Sequence, residues 1–210
     1  MGVRASAGAP GGDYDLSNPL GSLVDVVRRV VTRPAEFFSS IPRRGNFLSP
    51  LVFALICIEI STILGGLLRL ALGSEAVGGI RFEGAGRYGF GEFVADVILA
   101  TIGGAIGLFI LAAIVHLFVM LFVGEWNSGF EATFRVVSYV SVTNLVNWIP
   151  IIGGLVGLYG LYLAVVGIRE MHSTTTGRAA LVVLLPLGAL LLLVLIFVVV
   201  AGAIVMSRLT

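Results

Sequence analysis

Lysine is absent from this chain, and all thirteen basic residues are arginine. Cysteine occurs once, at Cys57 inside an apolar run, so no intramolecular disulfide can form and the lone thiol reads as core filler. Histidine occurs only at His116 and His172, too far isolated to imply a metal site. Charged residues amount to 12% with a net charge of +1, which removes the broad basic surface of a general nucleic-acid binder. The motifs of familiar chemistry are missing too. There is no Gly-x-Ser-x-Gly elbow, no His-Glu-x-x-His pair and no Gly-rich phosphate loop. We therefore read the protein as non-enzymatic, with no cofactor and no metal.

What remains is apolar. The 210 residues are 58% hydrophobic, with a mean hydropathy of +1.06, far above the soluble range. This predicts an all-α, polytopic integral membrane bundle. Against a requirement of roughly 20 apolar residues per crossing, five spans are expected at 49–72, 93–123, 131–149, 150–168 and 180–206, within a membrane domain of 47–207. Residues 1–19, rich in Gly, Ala, Ser and Asp, read as a disordered cytoplasmic tail and not as a cleaved signal peptide. The all-arginine basic set, with abundant Gly, Ala and Val, points to a GC-rich, prokaryotic genome.

Arginine also sets the expected orientation. Arg4, Arg28, Arg29, Arg33, Arg43 and Arg44 precede the first span, and Arg169 and Arg178 fall in a later loop, so both segments are expected in the cytoplasm. Five crossings then place the C-terminus outside. The loop from Gly73 to Gly91 becomes external, although its Arg81 and Arg87, with Glu75 and Glu83 between and before them, run against the charge rule.

Residues 20–46 form an amphipathic interfacial segment. Leu20, Leu23, Val24, Val27, Val30 and Val31 follow the i, i+3, i+4, i+7 pattern, while Ser22, Asp25, Arg28, Arg29, Thr32 and Arg33 take the other side, and Pro34 ends the helix. Such a helix lies on the inner leaflet with Arg28, Arg29 and Arg33 toward anionic lipid, and Phe37, Phe38 and Ile41 continue it as a lipid-facing anchor. The alternative is a helix packed on the cytoplasmic face of the domain.

The third span is the anomaly. Glu131, Arg135, Tyr139, Thr143 and Asn147 recur every four residues, with Ser138, Ser141 and Asn144 among them, and Glu131 stands where it can pair with Arg135. Polar groups in hydrocarbon persist where other protein groups satisfy them, so this span is expected at the centre of the bundle. Depth counting places His116 level with Tyr139 and Tyr162, and Glu59 level with Asn144. Glu59, His116, Arg135, Tyr139 and Asn144 form the candidate polar core. In the fourth span Gly153, Gly157, Gly160 and Gly167 make a smooth ridge for close helix packing; Gly103 and Gly107 offer a second notch, for internal packing or a dimer. The fifth span, Leu and Val on nearly every side, should face lipid, with Pro186 bending it.

The run His116 to Arg178, with Gly124, Phe130, Thr133, Phe134, Arg135, Tyr139, Ile149, Pro150, Gly153, Tyr159, Gly167, His172 and Arg178 at these spacings, resembles the Yip1 domain family, particularly its prokaryotic branch. Arg33, Pro34, Phe37, Phe38, Ile41, Pro42 and Pro50 resemble the segment that leads into its first span. The resemblance implies five helical spans with a cytoplasmic N-terminus. Eukaryotic relatives are associated with Rab GTPases and membrane shaping. Rab binding is not carried over, because Ser138 and Thr143 stand where the family commonly has Gly and Pro, and Asp15, Leu16 and Pro19 match its N-terminal motif only in part. The function expected is a membrane scaffold or adaptor that engages anionic inner-leaflet lipid or a protein partner, itself a possible homo-oligomer. The competing expectation is a small-solute, ion or proton transporter using Glu59 and His116.

Overall fold

The computed structural model describes residues 12–72, 88–149 and 151–209. Arg4, Pro150 and residues 73–87, which carry Glu75, Arg81, Glu83 and Arg87 and most of the expected external loop, lie outside them. The chain is 84% helix with no strand among the described residues, as expected where every backbone donor and acceptor must be satisfied within its own segment.

Among the described residues eight α-helices follow in order: α1 (Pro19–Thr32), α2 (Pro34–Ser40), α3 (Leu48–Leu72), α4 (Phe90–Phe122), α5 (Phe130–Val140), α6 (Asn144–Asn147), α7 (Ile152–Met171) and α8 (Thr176–Leu209). Prolines set three beginnings. Pro19 and Pro34 occupy the first turn of α1 and α2, where a missing N–H costs nothing, and Pro50 lies in the first turn of α3. Helix α7 ends in a Schellman arrangement, with the Thr174 N–H on the Arg169 carbonyl at 3.0 Å and Ser173 at φ +48°.

Among the described residues four helices are long and apolar enough to cross a membrane: Leu48–Leu72, Phe90–Phe122, Ile152–Met171 and Thr176–Ala201. They make this a multi-pass membrane protein. The expected third span differs. It is broken into α5, a 3-10 turn at Ser141–Thr143, and α6. Side-chain hydroxyls account for the break: Ser141 Oγ donates to the Val137 carbonyl at 3.3 Å and Thr143 Oγ1 to the Val140 carbonyl at 3.0 Å, competing with backbone amides for the same acceptors. Pro186 sits inside α8, which runs on through it.

Helix α5 is the centre of the bundle, packed between α3, α4 and α7, with Ala132 to Tyr139 all buried. By contrast, Leu190 to Val200 of α8 are all exposed, an apolar surface suited to lipid. The segment before α1 corrects the sequence reading. Tyr14, expected in a disordered tail, is 2% exposed and packs edge-on against Phe53 with ring centroids 5.7 Å apart.

The amphipathic arc of α1 is divided. Val26 and Val30 are buried against the bundle, while Leu20, Val24 and Val31 on the adjoining flank remain 78%, 69% and 42% exposed. Phe37 and Phe38 do not continue that exposed flank. Both are buried at 1% exposure, Phe37 against Tyr139 and Phe38 beside Gly167, so the lipid anchor expected of them is replaced by a core role. The reason is the turn at Arg33–Pro34, which swings α2 inward onto α7.

Candidate functional site

The polar side chains of α5 gather at one end of the bundle, where the N-terminal ends of α3 and α5 meet the C-terminal end of α7. Arg43, before α3, donates to Ser173 Oγ at 2.6 Å just beyond α7, and Ser128, before α5, donates its N–H to His172 Nδ1 at 3.1 Å. Arg28, Arg29, Arg33, Arg43, Arg44, Arg169 and Arg178 belong to the segments around this basic end.

Arg135 is the most deeply committed charge. It is 1% exposed, and three acceptors surround it: Asp13, the Glu131 carboxylate at 3.3 Å and the Asn46 carbonyl at 2.9 Å. The close approach of the Asn46 strand needs Gly45, where a Cβ would lie 2.8 Å from Arg135 Nη2. Asp13 also accepts a hydrogen bond from the Tyr139 hydroxyl, which in turn accepts the Tyr14 N–H at 3.1 Å. Every contact presents a donor to Asp13, as an ionised carboxylate requires. Burial nevertheless holds its carboxyl above the ordinary 3.8, the pull of Arg135 only partly offsetting that cost. Arg29 secures the same tail through the Gly12 carbonyl at 3.2 Å and lies 5.0 Å over the Phe37 ring.

A second polar chain adjoins it. His172 Nδ1 accepts from Ser128, so the ring proton sits on Nε2 and faces Thr133 Oγ1 at 3.0 Å; the Thr133 hydroxyl then donates to His116 Nδ1 at 2.8 Å. Three helices are thereby tied by one threonine. Burial, with the nearby His116 and Arg43 charges, pushes the His172 imidazole down to about 4. Neutral His172 is the form this arrangement holds.

The candidate polar core is therefore partly assembled. Arg135 and Tyr139 share one cluster, and His116 joins Thr133 and His172 rather than Tyr139. Glu59 lies elsewhere. Its Oε1 accepts from Thr101 at 2.7 Å and its Oε2 is buried with no partner among the described residues, while Asn144 is half-buried at the head of α6. Along the glycine ridge, a Cβ at Gly167 would come within 2.6 Å of Val136 and one at Gly153 within 2.7 Å of the Asn147 carbonyl, and one at Gly160 would meet Thr143 at 3.3 Å. Gly157, Gly103 and Gly107 face open space.

Sequence reasoning missed Asp13, Tyr14, Thr133 and His172 as members of these clusters. One signal pointed toward Asp13. A buried guanidinium has five donors, and a single Glu131 carboxylate can balance its charge but not occupy them all, so further acceptors are required. No curated protein and no solved structure matches the chain. The family model for the Yip1 domain matches residues 28–198, from the last turns of α1 through most of α8; it takes in Arg135, Tyr139 and the His116–Thr133–His172 chain but not Asp13 or Tyr14. With that match spanning most of its length, the chain belongs to the Yip1 domain family.

Proposed function

We propose that this protein is a non-enzymatic, five-span membrane scaffold or adaptor, with its basic end in the cytoplasm and its C-terminus outside. The observation that carries the reading is the engagement of Arg135 and Tyr139 by the chain's own tail, which turns the polar centre of the bundle into structure. Several features support the fifth crossing. Helix α5 begins at the end where α7 finishes, so the broken α5–α6 rod has to travel back to reach the start of α7. From Phe130 to Trp148 that rod is about 28 Å long, close to the roughly 30 Å hydrocarbon core. Trp126, 91% exposed, and Trp148 bracket it at positions where interfacial tryptophans gather.

The exposed flank of α1, Leu20, Val24 and Val31, lies beside Arg28 on the same helix, an arrangement suited to an anionic leaflet. In this reading the arginines engage lipid or an acidic protein partner, and α1 docks against the bundle through Val26 and Val30 as it does so. The geometry favours this over transport. Thr101, the partner of Glu59, and His116 are fifteen residues apart on α4, about 22 Å, so the two ionisable groups do not form one relay.

Two experiments test it. Protein reconstituted in liposomes shows no ion or solute flux under the scaffold reading; a flux abolished by Glu59→Gln overturns it. Alanine at Arg28, Arg29 and Arg33 together weakens binding of the full chain's N-terminal region to anionic vesicles, and unchanged binding contradicts the lipid claim.

A further inference from the structure

Two cavities lie one above the other along a single face of α4. The first, about 590 Å³, is bounded by α3, α4 and α6 at the end opposite the arginines, with polar walls of Ser61, Thr62, Arg69, Asp96 and Asn147 beside Trp148. Arg69 Nη1 is 3.8 Å from Asp96, and Tyr88 steadies both: its ring lies 5.8 Å under the guanidinium and its hydroxyl donates to Asp96 at 2.9 Å. The Arg69 and Asp96 side chains stay 47% and 43% exposed, so a cation and an anion are offered side by side. The second cavity, about 410 Å³, lies between α4, α5, α7 and α8 and is lined almost wholly by apolar groups, among them Leu111, Ile114, Val140 and Leu187, with Gly157 opening its wall.

A glycine-bearing face of α4 runs between them, and we read it as a shallow trough. Asp96, Ala100, Gly103, Gly107, Leu111 and Ile114 follow one another at four, three, four, four and three residues, which places them on one helix face. A Cβ added at Gly103 or Gly107 would meet no atom. From Ala100 to Leu111 the face rises about 16 Å, which matches the roughly 15 Å depth of one leaflet's hydrocarbon.

The geometry points to a bound phospholipid with a phosphoethanolamine headgroup. Its phosphate faces Arg69, its ammonium faces Asp96, and one acyl chain passes over Gly103 and Gly107 into the apolar cavity. Charge complementarity favours this headgroup over phosphoglycerol, whose uncharged glycerol leaves Asp96 without a cation. The site is separate from the basic end and does not depend on the scaffold reading.

The test uses the full chain reconstituted in an equal mixture of phosphatidylethanolamine and phosphatidylglycerol, extracted in mild detergent, with retained lipid counted by mass spectrometry. Phosphatidylethanolamine is expected to be retained about tenfold over phosphatidylglycerol. Gly103→Leu with Gly107→Leu fills the trough at two positions where the added Cβ meets no protein atom, and removes that retention while far-UV circular dichroism is unchanged. Asp96→Asn, which leaves the trough open, erases the headgroup preference, because the ammonium then meets no carboxylate. Equal retention of the two lipids by the natural sequence, or undiminished retention by the trough-filled variant, overturns the proposal.

Discussion

The two halves of the broken α5–α6 rod carry similar polar side chains and have opposite fates. At the basic end, Arg135 and Tyr139 are closed over by Asp13, Glu131 and the Asn46 carbonyl, and Thr133 is clasped between two histidines. At the other end, Asn147 and Trp148 border an open polar cavity beside Arg69 and Asp96. The difference lies in what the rest of the chain brings to each half. The tail, the segment before α3 and the end of α7 all converge on α5, whereas among the described residues the lining of that cavity comes from α3, α4 and the α6 segment. One polar segment thus holds two kinds of environment: protein groups close over its first half and leave its second half beside an open cavity.

The comparison is broken most severely by Arg135→Met. Removing the guanidinium leaves Asp13 and Glu131 facing each other in a buried site, and the loss is expected to be about 3 to 5 kcal/mol in detergent unfolding. Acid attacks the neighbouring chain. His172 is held at about 4 when folded against 6.5 when free, so the unfolded state binds the extra proton. The contribution is complete above pH 6.5 and falls by about 3 kcal/mol as pH drops toward 4. Comparing the pH dependence of unfolding in the natural sequence and in His172→Gln isolates it; parallel curves would contradict the assignment. Asp13 has the opposite sign. Its folded carboxyl lies above 3.8, so tail docking gains from acid and weakens as pH rises through the folded value.

Smaller effects sharpen the contrast along α7. Gly167→Ala drives a methyl into Val136 and Phe38 and is expected to cost about 2 kcal/mol, whereas Gly157→Ala, in open space, gains up to about 1 kcal/mol of helix propensity. Equal responses in thermal unfolding would dissolve the distinction between a packed ridge and an open wall. Asp13→Asn exchanges one of the two accepting oxygens for an amide that can only donate, toward a donor of Arg135 or Tyr139. It is expected to weaken tail docking by about 1 kcal/mol, read as faster hydrogen exchange at the Tyr14 N–H.

Much of this fold is legible in the sequence because hydrocarbon imposes a simple rule on length and polarity. The helices α3, α4, α7 and α8 fall within a few residues of their expected spans for that reason. The Glu131–Arg135 pair follows from helical spacing. The break at Ser141 to Thr143 was harder to see, since the hydroxyl-to-carbonyl bonds that loosen the helix are made by residues common in intact membrane helices. Phe37 and Phe38 misled because apolarity alone does not say whether a side chain meets lipid or protein. The direction of α2 decided it, and that direction is set by a turn and by the glycine at position 167. Asp13 was hidden by distance: nothing local in a Gly- and Ala-rich tail marks the one carboxylate that reaches Arg135, more than a hundred residues away.

The most direct test is a double-mutant cycle between Asp13→Asn and Tyr139→Phe, scored by chemical unfolding in detergent. If the tail closes the polar centre as described, the two substitutions share one hydrogen bond and their effects are non-additive by about 1 kcal/mol. Strict additivity, with each single change below about 0.3 kcal/mol, would mean that the tail does not complete the core.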